Sequence, residues 1–338
     1  MMILKIITVE EHIQFKNITE AIQKQTGNAL PSLSSDMLNY MHTSLPSANQ
    51  MEDTSQARIK FMNQYGIDMQ VLSYGNSSPQ NLQPALAVEL CRQANDQMAA
   101  AVASNPTRFA GLATLPVGDP AAAVKELERA INKLGLKGVE LKGNFDNRFF
   151  DDPMFFPIFE KAAELDAPIY FHPSFIPSSI TDHYFNSPNW SDVATGILSS
   201  AGFGWHMDIG IQIMRMVVSG IFDKLPSLTL VSGHWGEFIP MFFERLDEEL
   251  TPYSNLKHPF SYYYRHNIYL TPSGMFTKPQ LDLVKTEMGA DHIIYSVDYP
   301  YKQPTNTNSF LTQSGLSNDE IELISHQNAE QVFHLDEN

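Results

Sequence analysis

A carboxylate and an imidazole two residues apart, Glu10 and His12, follow the first apolar run of the sequence, ILKIITV at 3–9. Alternate residues of a strand share a face, so the two side chains would point the same way and could grip one divalent cation. Alone, such a pair is as readily a chance feature of a loop entry. Three more ligand-type side chains sit at the ends of other apolar runs: His172 in PIYFHP (168–173), His234 in LTLVSGH (228–234) and Asp298 in HIIYSVDYP (292–300). With only 11 histidines in 338 residues, four run ends bearing such groups mark a common site. Imidazole nitrogens and carboxylates together suit Zn²⁺, Mn²⁺ or Fe²⁺, whereas Mg²⁺ and Ca²⁺ prefer an all-oxygen shell.

Bringing those ends to one place is a demand on the fold. Eight short β-branched runs alternate with helical patterns: 3–9, 68–74, 109–115, 138–143, 168–173, 228–234, 267–273 and 292–300. Asp119 and Pro120 open a helix with Val124, Leu127, Ile131 and Leu134 at helical spacing, and Gly135 closes it. Ser317 and Glu320 form a capping box ahead of a last helix, expected to pack outside the sheet. Eight such units predict an α/β chain folded as one (β/α)8 TIM barrel over 1–338, whose strand ends converge at one mouth. Two segments rich in Ser, Asn, Pro and aromatics interrupt the rhythm after strands 1 and 5, at 14–56 and 174–206, and are expected to be lids over that mouth.

Composition narrows the partners. The net charge is −16, so phosphate backbones and anionic lipid are repelled. No run approaches the roughly 20 apolar residues of a membrane span, and MMILKIITVEEH lacks a basic leader region. The single cysteine, Cys91, rules out an intrachain disulfide and reads as a buried, inert thiol. A cytoplasmic protein with no nucleic-acid or membrane partner is expected.

Several spaced segments resemble the decarboxylase branch of the amidohydrolase superfamily, which includes γ-resorcylate, 2,3-dihydroxybenzoate and aminocarboxymuconate-semialdehyde decarboxylases. They are EEH (10–12), GIDMQVLS (66–73), NPTRFAGLATLPVGDPAAAVKELERA (105–130), DDPMFFPIFEKAAELDAPIYFHP (151–173), RMVVSGIFDKLPSLTLVSGHWGE (215–237), FSYYYRHNIYLTPSGMF (260–276) and SVDYP (296–300). The resemblance implies Glu10, His12, His172 and Asp298 as ligands of one metal ion, Zn²⁺ first and Mn²⁺ second. Asp298 would also carry the proton, His234 would act as acid/base or substrate contact, and Glu237 would orient it. Arg245 matches an arginine of the family, with a surface ion pair as its plain alternative. Phe175, Phe276 and Tyr301 could stack on an aromatic ring, although packing explains such residues more often. Lys142, on strand 4, stands where the family has a neutral residue, and reads as a polar wall or substrate anchor in preference to a carbamate bridging two metals. His206 is balanced between pocket and surface, and His42, His183, His258, His266, His292, His326 and His334 lack ligand-like spacing.

The implied reaction is reversible, non-oxidative decarboxylation of an ortho-hydroxybenzoate-type acid, with YLTPSGMF pointing to an aromatic substrate. The runner-up is a metal-dependent hydrolase of a lactone or amide on the same barrel. A homodimer or homotetramer is expected, with FSYYYRHN and the second insertion at the contact.

Overall fold

The computed structural model describes residues 4–26, 34–76 and 78–335; Ile3 of the first run and 27–33 of the first insertion lie outside them. Seven of the eight runs are regular strands: β1 (Ile7–Ile13), β2 (Met69–Tyr74), β3 (Phe109–Gly111), β4 (Val139–Lys142), β5 (Ile169–His172), β6 (Leu230–Ser232) and β7 (Ile268–Leu270). All pair in parallel, β1-β2-β3 in one group and β4-β5-β6-β7 in another. Single bridges join the groups into a ring: Ala113 to Val139, Leu270 to Ile293, and Ser296 to Val9. The result is the (β/α)8 barrel. Its eighth member makes bridges rather than a ladder, and takes bonds from the Val9 amide at Tyr295 (3.0 Å) and the His12 amide at Tyr299 (2.7 Å), on either side of left-handed Asp298 (φ 67°).

The helices start where the sequence places them. Asp119 accepts from the Ala122 amide at the head of Pro120–Asn132, and the Ser317–Glu320 capping box is complete. After the capping box, Ile324 joins the core outside the sheet as expected, and the final turns go further. Ala329, Val332 and Phe333 of Asn328–Phe333 pack on Ile7, Val71, Ala110 and Ile294, so the helix covers the end of the barrel where the strands begin. Both insertions are more ordered than their composition suggests. The first holds the helices Lys16–Thr26, Ser35–Ser44 and Ala48–Glu52, and the second Asp192–Ser199. Ser34, Ser47 and Ser191 cap three of them. Helix Ser35–Ser44 buries no side chain, so no core face imposed a readable period on it. The insertions meet where Met37 lies over Gly196, so closely that a Cβ there would sit 2.5 Å from the methionine methyl.

The seam between the eighth run and β1 is held by a buried polar network. Arg58, fully buried, donates to the His12 carbonyl (2.5 Å), the Asp53 carbonyl (2.9 Å) and Gln70 Oε1 (3.1 Å), and its guanidinium lies 4.7 Å from the Tyr299 ring centroid. Gln70 donates to Glu11 (3.0 Å), and Glu11 accepts from the amides of Val297 (3.1 Å) and Tyr299 (3.3 Å), the two neighbours of Asp298. Removing one partner of such a network leaves the others desolvated and unpaired. Arg58→Met is therefore expected to lower unfolding stability by about 3–5 kcal/mol. Adding Glu11→Gln should recover part of that loss; strictly additive denaturant-unfolding energies would show that the two are not coupled.

Candidate active site

The mouth of the barrel is shaped by an irregularity in β1. Ile7 and Val9 face the interior, and a register shift then falls between Thr8 and Glu11, with Glu10 left-handed at φ 63°. This bulge re-phases the strand, so that Glu10 and His12 turn inward and Glu11 turns to the seam. Glu10 Oε2 accepts from Tyr170 (2.5 Å), Ser273 and Thr271 (3.4 Å). Its Oε1 is left buried with no hydrogen-bond partner.

Each histidine is oriented the same way, by a bond to one nitrogen that frees the other. Ser73 meets His12 Nδ1 at 3.1 Å, the Pro173 carbonyl meets His172 Nδ1 at 2.7 Å, and Glu237 Oε1 meets His234 Nδ1 at 2.8 Å. The free Nε2 of His12 lies 3.2 Å from Asp298 Oδ1, and that of His172 lies 3.8 Å from Glu10 Oε1. One ligand atom from each of Glu10, His12, His172 and Asp298 falls within 4.8 Å of the other three. Burial, then the cations Lys142 and Arg58, hold His12 well below the ordinary imidazole pKa; burial, then Lys142, does the same for His172. Neutral imidazoles, orphaned lone pairs and two carboxylates fit a divalent ion. Burial and the nearby Glu10 carboxylate raise the Asp298 pKa well above the usual range, the pressure a bound cation would relieve.

A second cluster flanks the first. Glu237 bridges His234 and His206, its Oε2 lying 2.9 Å from His206 Nδ1, while His206 Nε2 meets the Ala201 carbonyl at 3.1 Å. Burial opposes charge on His234, but the Glu237 carboxylate outweighs it and pushes the pKa up to about 9. His234 Nε2 points back to the first cluster, 3.9 Å from Glu10 Oε1. The turn that achieves this is strained: His234, Trp235, Glu237 and Phe238 all have positive φ. Such non-glycine residues cost about 1–3 kcal/mol each and gather where a site needs them.

The amidohydrolase family model matches residues 41–335. The chain belongs to the amidohydrolases. It falls in their decarboxylase branch, whose members are carbon–carbon lyases. It is 30% identical to decarboxylase orsB of Emericella nidulans, over 97% of this chain and 96% of that one. The crystal structure of a candidate amidohydrolase from Staphylococcus aureus superposes with a TM-score of 0.87 at 43% identity, covering 98% of this chain and 100% of that one. A dihydroxybenzoic acid decarboxylase from Polaromonas sp. JS666, solved with bound manganese and the inhibitor 2-nitroresorcinol, superposes at 0.81 with 28% identity, over 99% and 98% of the two chains.

The remaining sequence candidates part company in this amidohydrolase. Tyr301 stands at the mouth, its ring 5.4 Å from that of His12. Phe276 does not: it is stacked between Tyr295 (5.0 Å) and Phe310 (5.1 Å), because the outer face of the eighth run offers flat aromatic partners. The Arg245 side chain is 73% exposed and paired with Glu249 at 3.0 Å, the surface ion pair weighed as its plain alternative. Phe175 is largely exposed, edge-on to Trp205. Sequence reasoning left His206 undecided, because its helix, Gly204–Val218, is buried on most sides and its spacing marks no single inward face. The four-atom cluster predicts one divalent ion per chain by elemental analysis of purified protein, lost on His172→Ala and kept on His206→Ala. Two ions per chain would contradict it.

Proposed function

We propose that this chain is a divalent-metal-dependent, non-oxidative decarboxylase of an ortho-hydroxybenzoate-type acid, built as one barrel domain over 1–338 and working in the cytoplasm as a homo-oligomer. The observation that carries the reading is the pairing of a four-ligand set, Glu10 Oε1 and His12 Nε2 unpartnered, with an adjacent, carboxylate-supported imidazole. A hydrolase needs the first of these; an acid that must exchange protons with two different substrate atoms uses both. The manganese and the nitroresorcinol in the Polaromonas relative support the same substrate and metal class. Mn²⁺ and Zn²⁺ both suit the donor set.

Glu10, His12, His172 and Asp298 would hold the ion, which would supply Lewis acidity toward the oxygens of an acidic substrate. The chain's own groups then handle protons. Losing CO₂ directly would leave an aryl anion, so the carbon bearing the carboxylate must be protonated first. The Asp298 carboxyl donates that proton as a ring π pair forms the new C–H bond, with electron density supplied by the ortho oxygen. The proton of that hydroxyl would have passed to Asp298 on binding, and the His234 imidazolium, held by Glu237, which His206 shares, donates through Nε2 to the bared oxygen. The bond to the carboxylate then breaks, its electron pair restores the aromatic ring, and CO₂ leaves. His234 gives its proton to the oxygen and regains one from solvent. The two insertions, in contact through Met37 and Gly196, would keep bulk water from the protonated ring.

Asp298→Asn should retain much of the metal, since three ligands and an amide oxygen remain, yet lose at least roughly 100-fold in kcat per bound ion, measured as CO₂ release from hydroxybenzoates. Decarboxylation within a few-fold of the parent would assign the proton to another group. Lactone opening without CO₂ would instead support the hydrolase. The homo-oligomer rests on exposed aromatics: Tyr184, Trp190 and Phe203 of the second insertion lie outside, and Phe203 meets exposed Phe238 at 5.5 Å. Contiguous apolar surface of this kind favours burial against another copy. Light scattering at micromolar concentration is expected to give a dimer or larger; a monomer would remove that part of the reading.

A further inference from the structure

Among the described residues, Lys142 is a buried cation on the interior face of the barrel that the mechanism leaves without a task. It ends β4, beside His172 of β5 in register, and its side chain is 3% exposed. Val139 and Leu141 of the same strand pack into the outer core, so Glu140 and Lys142 share the interior face. The ammonium lies 3.0 Å from Glu140 Oε2. Beyond that ion pair its nitrogen is buried without a hydrogen-bond partner, though an ammonium carries three donors. Glu140 in turn reaches only to 3.9 Å from His12 Nδ1.

Charge counting leaves the resting site neutral, so what Lys142 lacks is an acceptor and not a counter-charge. Glu10, Asp298 and Glu140 carry three negative charges, while a divalent ion and Lys142 carry three positive ones. His234 and Glu237 balance each other. A buried cation next to a divalent ion is tolerable when an anion lies between them. On the proposed reaction the substrate brings one, and its two oxygens are not equivalent. The ortho oxygen belongs with His234, which is raised on the β6 turn. The carboxylate is left for the β4 side of the mouth.

We propose that Lys142 is the anchor of the scissile carboxylate, donating to one of its oxygens and fixing which ring carbon faces Asp298. This rests on the decarboxylase reading and deepens it. The interaction is strongest in the bound acid and fades as the carboxylate becomes neutral CO₂. Lys142 therefore serves binding and orientation more than the chemical step. A substrate without the carboxylate gains nothing from it.

The test compares an acid with its own product, 2,6-dihydroxybenzoate and resorcinol, by calorimetric titration of metal-loaded protein. Asp298→Asn serves as the background so that the acid survives the measurement. Adding Lys142→Met together with Glu140→Gln avoids leaving a lone buried charge, and metal content with the melting temperature confirms a folded, loaded protein. The Kd of the acid is expected to rise at least about tenfold while that of resorcinol moves less than about threefold. With Asp298 restored, the same pair of substitutions should raise KM for the acid by more than it lowers kcat. Equal weakening of acid and phenol would overturn the anchor and leave the decarboxylase reading standing. An unchanged Kd for the acid would do the same, as would a second metal ion that disappears with Lys142. If the background protein binds neither compound and the parent releases no CO₂ from any hydroxybenzoate, the underlying reading fails and the anchor with it.

Discussion

The cost of holding charge away from water governs this molecule. Glu10, Glu11, Glu140 and Glu237 are at most 2% exposed, and Asp298 is only slightly more open. An isolated carboxylate in such a place would cost several kcal/mol. Each of the four glutamates is instead given partners by the elements around it: hydroxyls for Glu10, Arg58 with backbone amides for Glu11, Lys142 for Glu140, and two imidazoles for Glu237. The barrel makes this possible because it delivers strand ends from distant parts of the sequence to one ring. Compensation from the chain is incomplete at Glu10 Oε1 and His12 Nε2, where the proposed ion would supply the missing partner.

Compensation at one site is also scaffolding for the next. Glu11 contributes no atom to the mouth, but its bonds to the amides of Val297 and Tyr299 bracket Asp298. Arg58 ties the same region to the carbonyl of His12. The seam that closes the ring therefore places His12 from one end of the chain and Asp298 from the other, and closure and site geometry are one problem. The left-handed residues Glu10, His234, Glu237, Ser273 and Asp298 belong to the same account. Strain at five positions around one mouth is sustained because the network overdetermines it.

Much of this was legible in the sequence, for identifiable reasons. Glu10, His12, His172, His234 and Asp298 announced themselves because polar ligand groups terminating apolar runs are rare, and the structure does gather them. Asp119 and the Ser317–Glu320 box were legible because capping is local chemistry. Phe276 was misread because an aromatic next to a strand end looks the same whether it faces the mouth or, as here, the helices. Arg245 was carried by resemblance alone, and residue type says nothing about which way a side chain leaves a helix. The helical insertions escaped because their faces are mostly exposed, and periodicity records burial. The task of the last helix escaped for the opposite reason: its apolar face was visible, but not which apolar surface it would cover.

The β1 bulge has a consequence for how such a mouth can change over generations. Substitution at Glu10 or His12 alters a ligand and leaves the strand's phase intact. Loss or gain of one residue between Thr8 and Glu11 would keep the strand and its hydrophobic fit to β2, yet exchange the roles of neighbouring side chains, sending carboxylates toward the helices and apolar groups toward the mouth. The segment is thus permissive in letters and rigid in length. New chemistries can be reached on this strand by point replacement, while insertion and deletion are confined to places such as the segments after β1 and β5, where the count of residues carries no phase.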